Sequence, residues 1–248
     1  MTPSCTVVVP CFNEARRLDR AQLDTLADAA QARVLAVDDG STDGTPALLA
    51  VLASDAPDRF RVLSLEANRG KGEAVRRGLL DAIAEGADLV GYCDADFATP
   101  PREVARLVNV LRSDPTVDAV LGSRVAMLGC TIDRSAFRHY TGRLFATAGS
   151  LVLGAAVYDT QCGAKVFRTS GSLRRALAAP FVSRWAFDVE LLGRLLPPDT
   201  GATEDGGRFI ELPLREWSEP GGSKLTASGG LRAALDLMRI RRALRPQA

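Results

Sequence analysis

Two aspartates one residue apart, Asp94 and Asp96, follow an apolar run from Ala87 to Val90 that reads as a strand leaving the core. In a strand, residues i and i+2 point to the same side. Two carboxylates held there repel each other unless a cation lies beside them. Mg2+ or Mn2+ suits the position, because such ions take one or two carboxylates and complete their shell with water and substrate phosphate. The pair therefore points to a metal–diphosphate site. A second acidic pair, Asp38-Asp39, closes the run Val34 to Val37. There Asp38 can orient the loop while Asp39 accepts a hydrogen bond from a nucleobase N–H or a ribose hydroxyl. The alternative is a helix-capping loop, since Ser41, Thr42 and Asp43 all suit turns and N-caps. Asn68-Arg69-Gly70-Lys71-Gly72 is a glycine-rich turn that offers backbone N–H groups and one lysine charge to an anionic ligand. Its spacing is not that of a Walker A loop.

Strands must carry these clusters. Thr6 to Val9 is a β-branched run closed by Pro10, and Val34 to Val37, Phe60 to Leu65, the run into Asp94 and Val117 to Leu121 follow it. Helical stretches lie between them: Asp19, as N-cap, to Gln31; Pro46 to Ser54; Glu73 to Glu85; and Pro100-Pro101 to Arg112. This alternation predicts a parallel sheet with right-handed crossovers. Ligands of such sheets bind beyond the carboxyl ends of the strands, which is where every cluster above falls.

The second half is less regular. Arg134 to Leu153 predicts a long helix interrupted in pattern by Gly142 and Gly149. A short strand, Lys165 to Phe167, and a helix over Ser170 to Leu177 follow. The stripe Trp185, Val189, Leu192, Leu196 predicts a helix with one core face. Residues 197–207 form a polar loop. Phe209 to Trp217 reads as an edge strand interrupted by Pro213. Leu231 to Leu244 is a helix with arginines at 232, 239, 241, 242 and 245. With no linker or repeat, 1–248 reads as one domain with a nucleotide half, 1–125, and an acceptor half, 126–248.

Composition removes other classes. The chain has 248 residues, 46% of them hydrophobic, and Lys+Arg number 31 against 30 for Asp+Glu. A net charge of +1 creates no field drawing nucleic acid, and no basic–aromatic repeat is present. Five scattered cysteines, none in a C-x-x-C pair, and the lone His139 argue against a zinc site or a disulfide framework and fit a reducing cytoplasm. His139 itself reads as a packing or surface residue. No apolar run approaches the ~18 residues of a transmembrane helix, and none precedes the first strand. The C-terminal arginines allow two readings: peripheral contact with anionic lipid at the inner membrane face, or a solvated helix face.

Taken together, Val-Val-Pro-Cys-Phe-Asn-Glu at 8–14, Val-Asp-Asp-Gly-Ser-Thr-Asp-Gly-Thr at 37–45, Asn-Arg-Gly-Lys-Gly at 68–72 and Asp-Ala-Asp at 94–96 resemble an inverting family 2 glycosyltransferase of the GT-A fold. Asp-Thr-Gln-Cys-Gly-x-Lys at 159–165, Arg-Trp-Ala-Phe-Asp-Val-Glu-Leu-Leu at 184–192 and Gly-Ser-Lys-Leu at 222–225 resemble its dolichyl-phosphate glucosyltransferase branch, to which polyprenyl-phosphate mannosyltransferases are close. The resemblance implies an α/β fold with a Rossmann-like, mostly parallel central sheet flanked by helices and a smaller acceptor-side half. It assigns Pro10, Asn13, Glu14 and Asp39 to the nucleobase and ribose, and Lys71 and Gly72 to the border of the nucleoside. Asp94 goes to the ribose or the metal, and Asp96 to Mg2+ or Mn2+ on the diphosphate. Arg124 and Arg134 would meet the sugar or acceptor phosphate. Lys224, in a Gly-rich segment, would close over the donor.

Asp188 matches the position where many family 2 enzymes keep a general base; it could equally be an acidic residue of a helix first turn. A hydroxyl acceptor needs such a base, worth roughly 100- to 10,000-fold. A lipid phosphate is already anionic and needs cations instead. The chain supplies both residue types, so a polyprenyl phosphate acceptor, with UDP-glucose as donor, and a soluble hydroxyl acceptor both stay open, as does GDP-mannose as donor. Two departures from the pattern stand out. The resembling eukaryotic enzymes carry an N-terminal membrane anchor not found here, and Ala98 lies where some mannosyltransferases place a further metal-binding side chain. A non-catalytic nucleotide-sugar sensor is the reading from another class, and the intact acidic and basic positions speak against it.

Overall fold

The computed structural model describes residues 2–196, 208–219 and 227–244. The apolar runs of the first half form β1 (Cys5–Cys11), β2 (Arg33–Asp38), β3 (Phe60–Ser64), β4 (Leu89–Cys93) and β5 (Val117–Ser123), with α1 (Arg20–Ala30), α2 (Thr45–Asp55), α3 (Lys71–Ala84) and α4 (Pro101–Ser113) between them. Local chemistry sets the helix starts. Asp19 caps α1 by accepting the Ala21 N–H at 2.8 Å, and proline occupies the first turn of α2 and α4. The second half adds β6 (Thr131–Asp133), α5 (Ala136–Leu153), β7 (Ala164–Arg168), α6 (Gly171–Ala178), α7 (Phe187–Leu195), β8 (Arg208–Pro213), β9 (Glu216–Ser218) and α8 (Ala227–Ala243).

The main sheet has seven strands in the order β3-β2-β1-β4-β7-β5-β8. Neighbours run parallel except at β7, which is antiparallel to both β4 and β5. The first-half strands thus share one direction, and the adjacent carboxyl ends of β1, β2 and β4 make one rim. The sheet is thus mostly parallel, as the resemblance implies, and a strand from the second half, β7, separates β4 from β5. A strand buried on both faces shows the same apolar run in either direction, so the reversal leaves no mark in the sequence.

Both faces of the sheet are covered. Val7 and Val9 face a core with Leu23 and Leu26 of α1 and Leu107 and Val108 of α4, while Val8 faces Val75 and Leu79 of α3 and Leu191 of α7. Each such side chain contributes roughly 1.5–3 kcal/mol on burial. The helix layer is close: a Cβ on Gly78 of α3 would come within 2.6 Å of Val8 Cγ1.

Two other expectations change. The single edge strand over Phe209–Trp217 is two strands. Pro213 ends β8 at the sheet edge, the chain turns at buried Leu214, and β9 pairs in parallel with β6 in a separate two-stranded ribbon. Trp185 precedes α7 rather than starting its core stripe; it is half-exposed and lies edge-on to Phe145, ring centroids 5.2 Å apart. The polar stretch 197–207, Lys224 and Arg245 lie outside the described residues. His139 is half-buried, edge-on to Tyr140. All five cysteines are free thiols. Among the described residues no helix is long and apolar enough to cross a membrane.

Candidate active site

A cleft of about 330 Å³ opens on the rim formed by β1, β2 and β4. Pro10, Phe12 and Glu14 line it from β1 and its loop, Asp39 from beyond β2, Asn68, Gly70 and Lys71 from the turn into α3, and Asp94 and Asp96 from beyond β4.

The acidic pair sits on a tight turn. The Phe97 N–H donates to the Asp94 carbonyl at 3.1 Å, and Phe97 has φ 49°, a left-handed conformation for a bulky side chain. Such backbone costs on the order of 1–3 kcal/mol; packing of the Phe97 ring, 8% exposed, into the core offsets it. The turn keeps Asp94 inside and leaves Asp96 at the mouth. Asp94 Oδ1 is buried, without an aligned hydrogen-bond donor, and 2.5 Å from Lys71 Nζ. Its other oxygen fits only because residue 163 is glycine: a Cβ there would lie 2.2 Å from Asp94 Oδ2. Asp96 Oδ1 accepts the Ala98 N–H at 3.1 Å. Desolvation and then the charge of Asp94 push the Asp96 carboxyl above its usual range. Desolvation pulls the Lys71 ammonium down, but Asp94, Asp188 and Asp96 together leave it above its ordinary value.

Among the described residues no three His, Cys, Asp or Glu side chains converge as a metal cage. A crowded carboxylate pair, one member of which already draws in the Lys71 ammonium, fits instead a hard cation that shares its shell with phosphate and water. Asp96, with Asp94 behind it, would hold that ion. Ala98 adds no side-chain ligand.

Asp39 is 3% exposed, and its two oxygens accept the N–H groups of Arg69 and Gly70, each at 2.7 Å. It lines the cleft and also holds the glycine-rich turn; each carboxylate oxygen retains capacity for a further donor. Asp38 Oδ1 accepts the Ser41 N–H at 3.0 Å, the loop-orienting contact expected of it. Asn13 does not line the cleft. With φ 55° it ties the β1 loop to the β2 loop, Oδ1 accepting from Thr42 N at 2.9 Å and its own N–H donating to Ser41 Oγ at 3.0 Å. Glu14 lines the cleft in a forked pair with Arg17 at 2.9 and 2.7 Å. Gly72 is buried against α7, where a Cβ would meet Phe187 Cβ at 2.8 Å; its place is in packing, not on the cleft wall.

Arg124 and Asp188 are held in ion pairs with little access to solvent. Arg124 forks onto Asp159 at 2.7 and 2.8 Å, and its own N–H donates to Asp159 at 3.0 Å. Burial alone would lower the guanidinium's pKa, and Asp159 raises it well beyond its ordinary value. Burial likewise pushes the Asp159 carboxyl up, and Arg124 more than reverses this, bringing it to about 2. Arg134 is half-buried, its guanidinium folded against Gly142 of α5. Asp188, 4% exposed in the first turn of α7, accepts from Lys165 Nζ at 2.6 Å and from the Tyr92 hydroxyl on the same oxygen. Lys165 Nζ also donates to the Cys162 carbonyl at 2.6 Å. Burial, then the Asp188 charge, push the Tyr92 phenol well above its normal pKa.

Phe12, Tyr92, Asp159, Lys165 and Arg184 received no site role in the sequence reading. Lys165 and Asp159 stand inside the motif 159–165, but their partners are distant in the chain. Tyr92 directly precedes the acidic turn and pairs in register with Lys165 across β4 and β7, a pairing visible only once β7 is known to insert there.

A mostly parallel sheet flanked by helices, with a carboxylate pair and a glycine-rich turn at one rim, defines a GT-A glycosyltransferase. The family model for glycosyl transferase family 2 matches residues 6–172, and the chain belongs to that family. A dolichyl-phosphate beta-glucosyltransferase of Trichomonas vaginalis is 32% identical over 248 residues, covering 95% of this chain and 70% of that protein. A polyprenol monophosphomannose synthase of Mycolicibacterium smegmatis is 28% identical over 228 residues, covering 92% and 83%. In three dimensions the chain is similar to a mannosyltransferase of Pyrobaculum calidifontis solved with GDP-Man and Mn2+, with a TM-score of 0.63, 23% identity, and coverage of 100% of this chain and 66% of that one.

Proposed function

We propose that this enzyme moves a hexose, glucose in the first instance, from a UDP-sugar to a polyprenyl phosphate by a single inverting displacement. One observation carries the choice of acceptor. The carboxylate nominated as general base, Asp188, is buried, and its Oδ1 is engaged by both Lys165 and Tyr92. A hydroxyl acceptor would need that base free, whereas a phosphate acceptor arrives anionic. Similarity to dolichyl-phosphate beta-glucosyltransferases supports the same acceptor class. In this reading an acceptor phosphate oxygen attacks the anomeric carbon from the face opposite the leaving group. The bond between that carbon and the diphosphate breaks, and UDP departs with both electrons.

Asp39 and the half-exposed Phe12 face the nucleoside, the ring being free to stack on a base. Lys71 meets the diphosphate, and Asp96 with Asp94 would hold Mg2+ or Mn2+. Such an ion, when bound, stabilises the charge of the leaving diphosphate. Arg124, fixed by Asp159, and Arg134 stand for the acceptor phosphate, and Lys224 for closure over the donor. The nucleotide half 1–125 and acceptor half 126–248 belong to the same proposal. So does peripheral membrane contact through α8, where Arg239, Arg241 and Arg242 are exposed beside half-exposed Leu235 and Met238. Unchanged cosedimentation with anionic vesicles after reversing those three charges would sink that last point.

GDP-mannose is the second donor considered, since the polyprenol monophosphomannose synthase relative favours mannose as the alternative sugar. The test is incubation with labelled UDP-glucose or GDP-mannose, Mn2+ and polyprenyl phosphate, followed by organic extraction. Extractable label from UDP-glucose, lost without the metal, is the expected result; label from GDP-mannose alone reassigns the donor. Turnover confined to a water-soluble alcohol, abolished by Asp188→Asn, would overturn the phosphate acceptor.

A further inference from the structure

We infer that Arg184 is a positioning residue for donor binding: it clamps the turn Asn68–Gly70 in the shape that forms one wall of the cleft. The inference rests on the donor reading above for what the cleft binds. Arg184 Nε donates to the Arg69 carbonyl at 3.0 Å, and Nη2 donates to the Asn68 carbonyl at 3.2 Å and to Asn68 Oδ1. From the other side, Asp39 takes the N–H groups of Arg69 and Gly70. The peptide between residues 69 and 70 is therefore held at its carbonyl by a guanidinium and at its N–H by a carboxylate. Gly70 sits between them with φ +94°, and a Cβ there would lie 2.6 Å from Arg184 Nε. The Gly72 N–H adds a 3.3 Å bond to the Arg184 carbonyl.

The segment that carries Arg184 is itself fixed. Ser183 Oγ accepts the Ala186 N–H at 2.8 Å, at the start of α7, and donates to Asp236 of α8 at 2.8 Å. A continuous set of contacts thus runs from α8 through residues 183–184 to the wall of the nucleotide cleft. Arg184 is exposed, so the hydrophobic core does not require it. Its planar fork reaches two successive carbonyls at once, which a lysine ammonium on a flexible stem does not reproduce.

The test compares wild type, Arg184→Ala and Arg184→Lys by calorimetric titration with UDP and with GDP, and by peptide-resolved trypsin cleavage after Arg69. The thermal midpoint should shift by only a few degrees. Nucleotide affinity should fall about tenfold in the alanine variant, the scale of one or two lost hydrogen bonds, without recovery in the lysine variant. Cleavage at the 69–70 bond should rise by about the same factor, because a released peptide opens more often. Equal nucleotide affinity in wild type and Arg184→Ala overturns the inference. Weaker affinity without faster cleavage overturns it too, since the arginine would then contact the nucleotide directly. Wild type binding neither nucleotide overturns the donor reading and this inference with it, an outcome the wild-type titration alone distinguishes.

Discussion

Lys165 and Asp188 form a buried ion pair, 0% and 5% exposed in their side chains. Removing one partner of such a pair leaves an uncompensated charge and costs about 3–5 kcal/mol, whereas replacing both by apolar residues is often neutral. Lys165→Met should therefore lower the unfolding free energy from urea titration by that order, and Lys165→Met with Asp188→Leu should recover most of it while transfer stays lost. Asp159 gives a pH signature. Its folded pKa of about 2 lies below the ordinary aspartate value of 3.8, so between these values the unfolded chain binds more protons. Stability is full above pH ~4 and falls as the pH drops through the folded value, by about 2 kcal/mol. Urea midpoints from pH 5 to 2 should show this step, and Asp159→Asn should remove it. The strand-end acids were legible because an acid closing an apolar run is visible locally. Their partners were not: Lys165 is 23 positions from Asp188 and Asp159 is 35 from Arg124, and no local pattern announces such pairs.

Between elements, the approach of the segment before β7 to the turn after β4 decides where Asp94 can sit. In Gly163→Ala the added methyl claims the space of the Asp94 carboxylate. Misplacement by about 1 Å at a reacting centre can cost on the order of a hundredfold. Transfer should fall by at least ~10-fold on that scale with little change in thermal midpoint; full activity in purified G163A would refute the packing argument. The helices and strands of the first half were readable from β-branched runs, caps and first-turn prolines. β6 was not, because three residues, exposed Thr131 and Asp133 around half-buried Ile132, are too few to show a periodicity. Nor was the division of β8 from β9: a proline within a strand pattern marks a break, but not that the two pieces join different sheets.

Over the whole molecule the charges nearly cancel, so attraction of an anionic ligand to the cleft falls to local groups such as Lys71. The insertion of β7 between β4 and β5 has a consequence for biosynthesis. When the first 125 residues have left the ribosome, β4 lacks its neighbour on one side and β5 has none, because its partners β7 and β8 are not yet made. Open strand edges invite pairing with other chains. At ~5–20 residues per second the gap until residue 168 emerges lasts on the order of seconds. Residues 1–125 expressed alone should aggregate and retain no nucleotide, despite containing most of the cleft lining; a soluble, nucleotide-binding fragment would contradict this. The acidic turn comes early in the chain yet is completed late, when Gly163 closes against Asp94. Nucleotide capture by a nascent chain would then report that the second half has arrived.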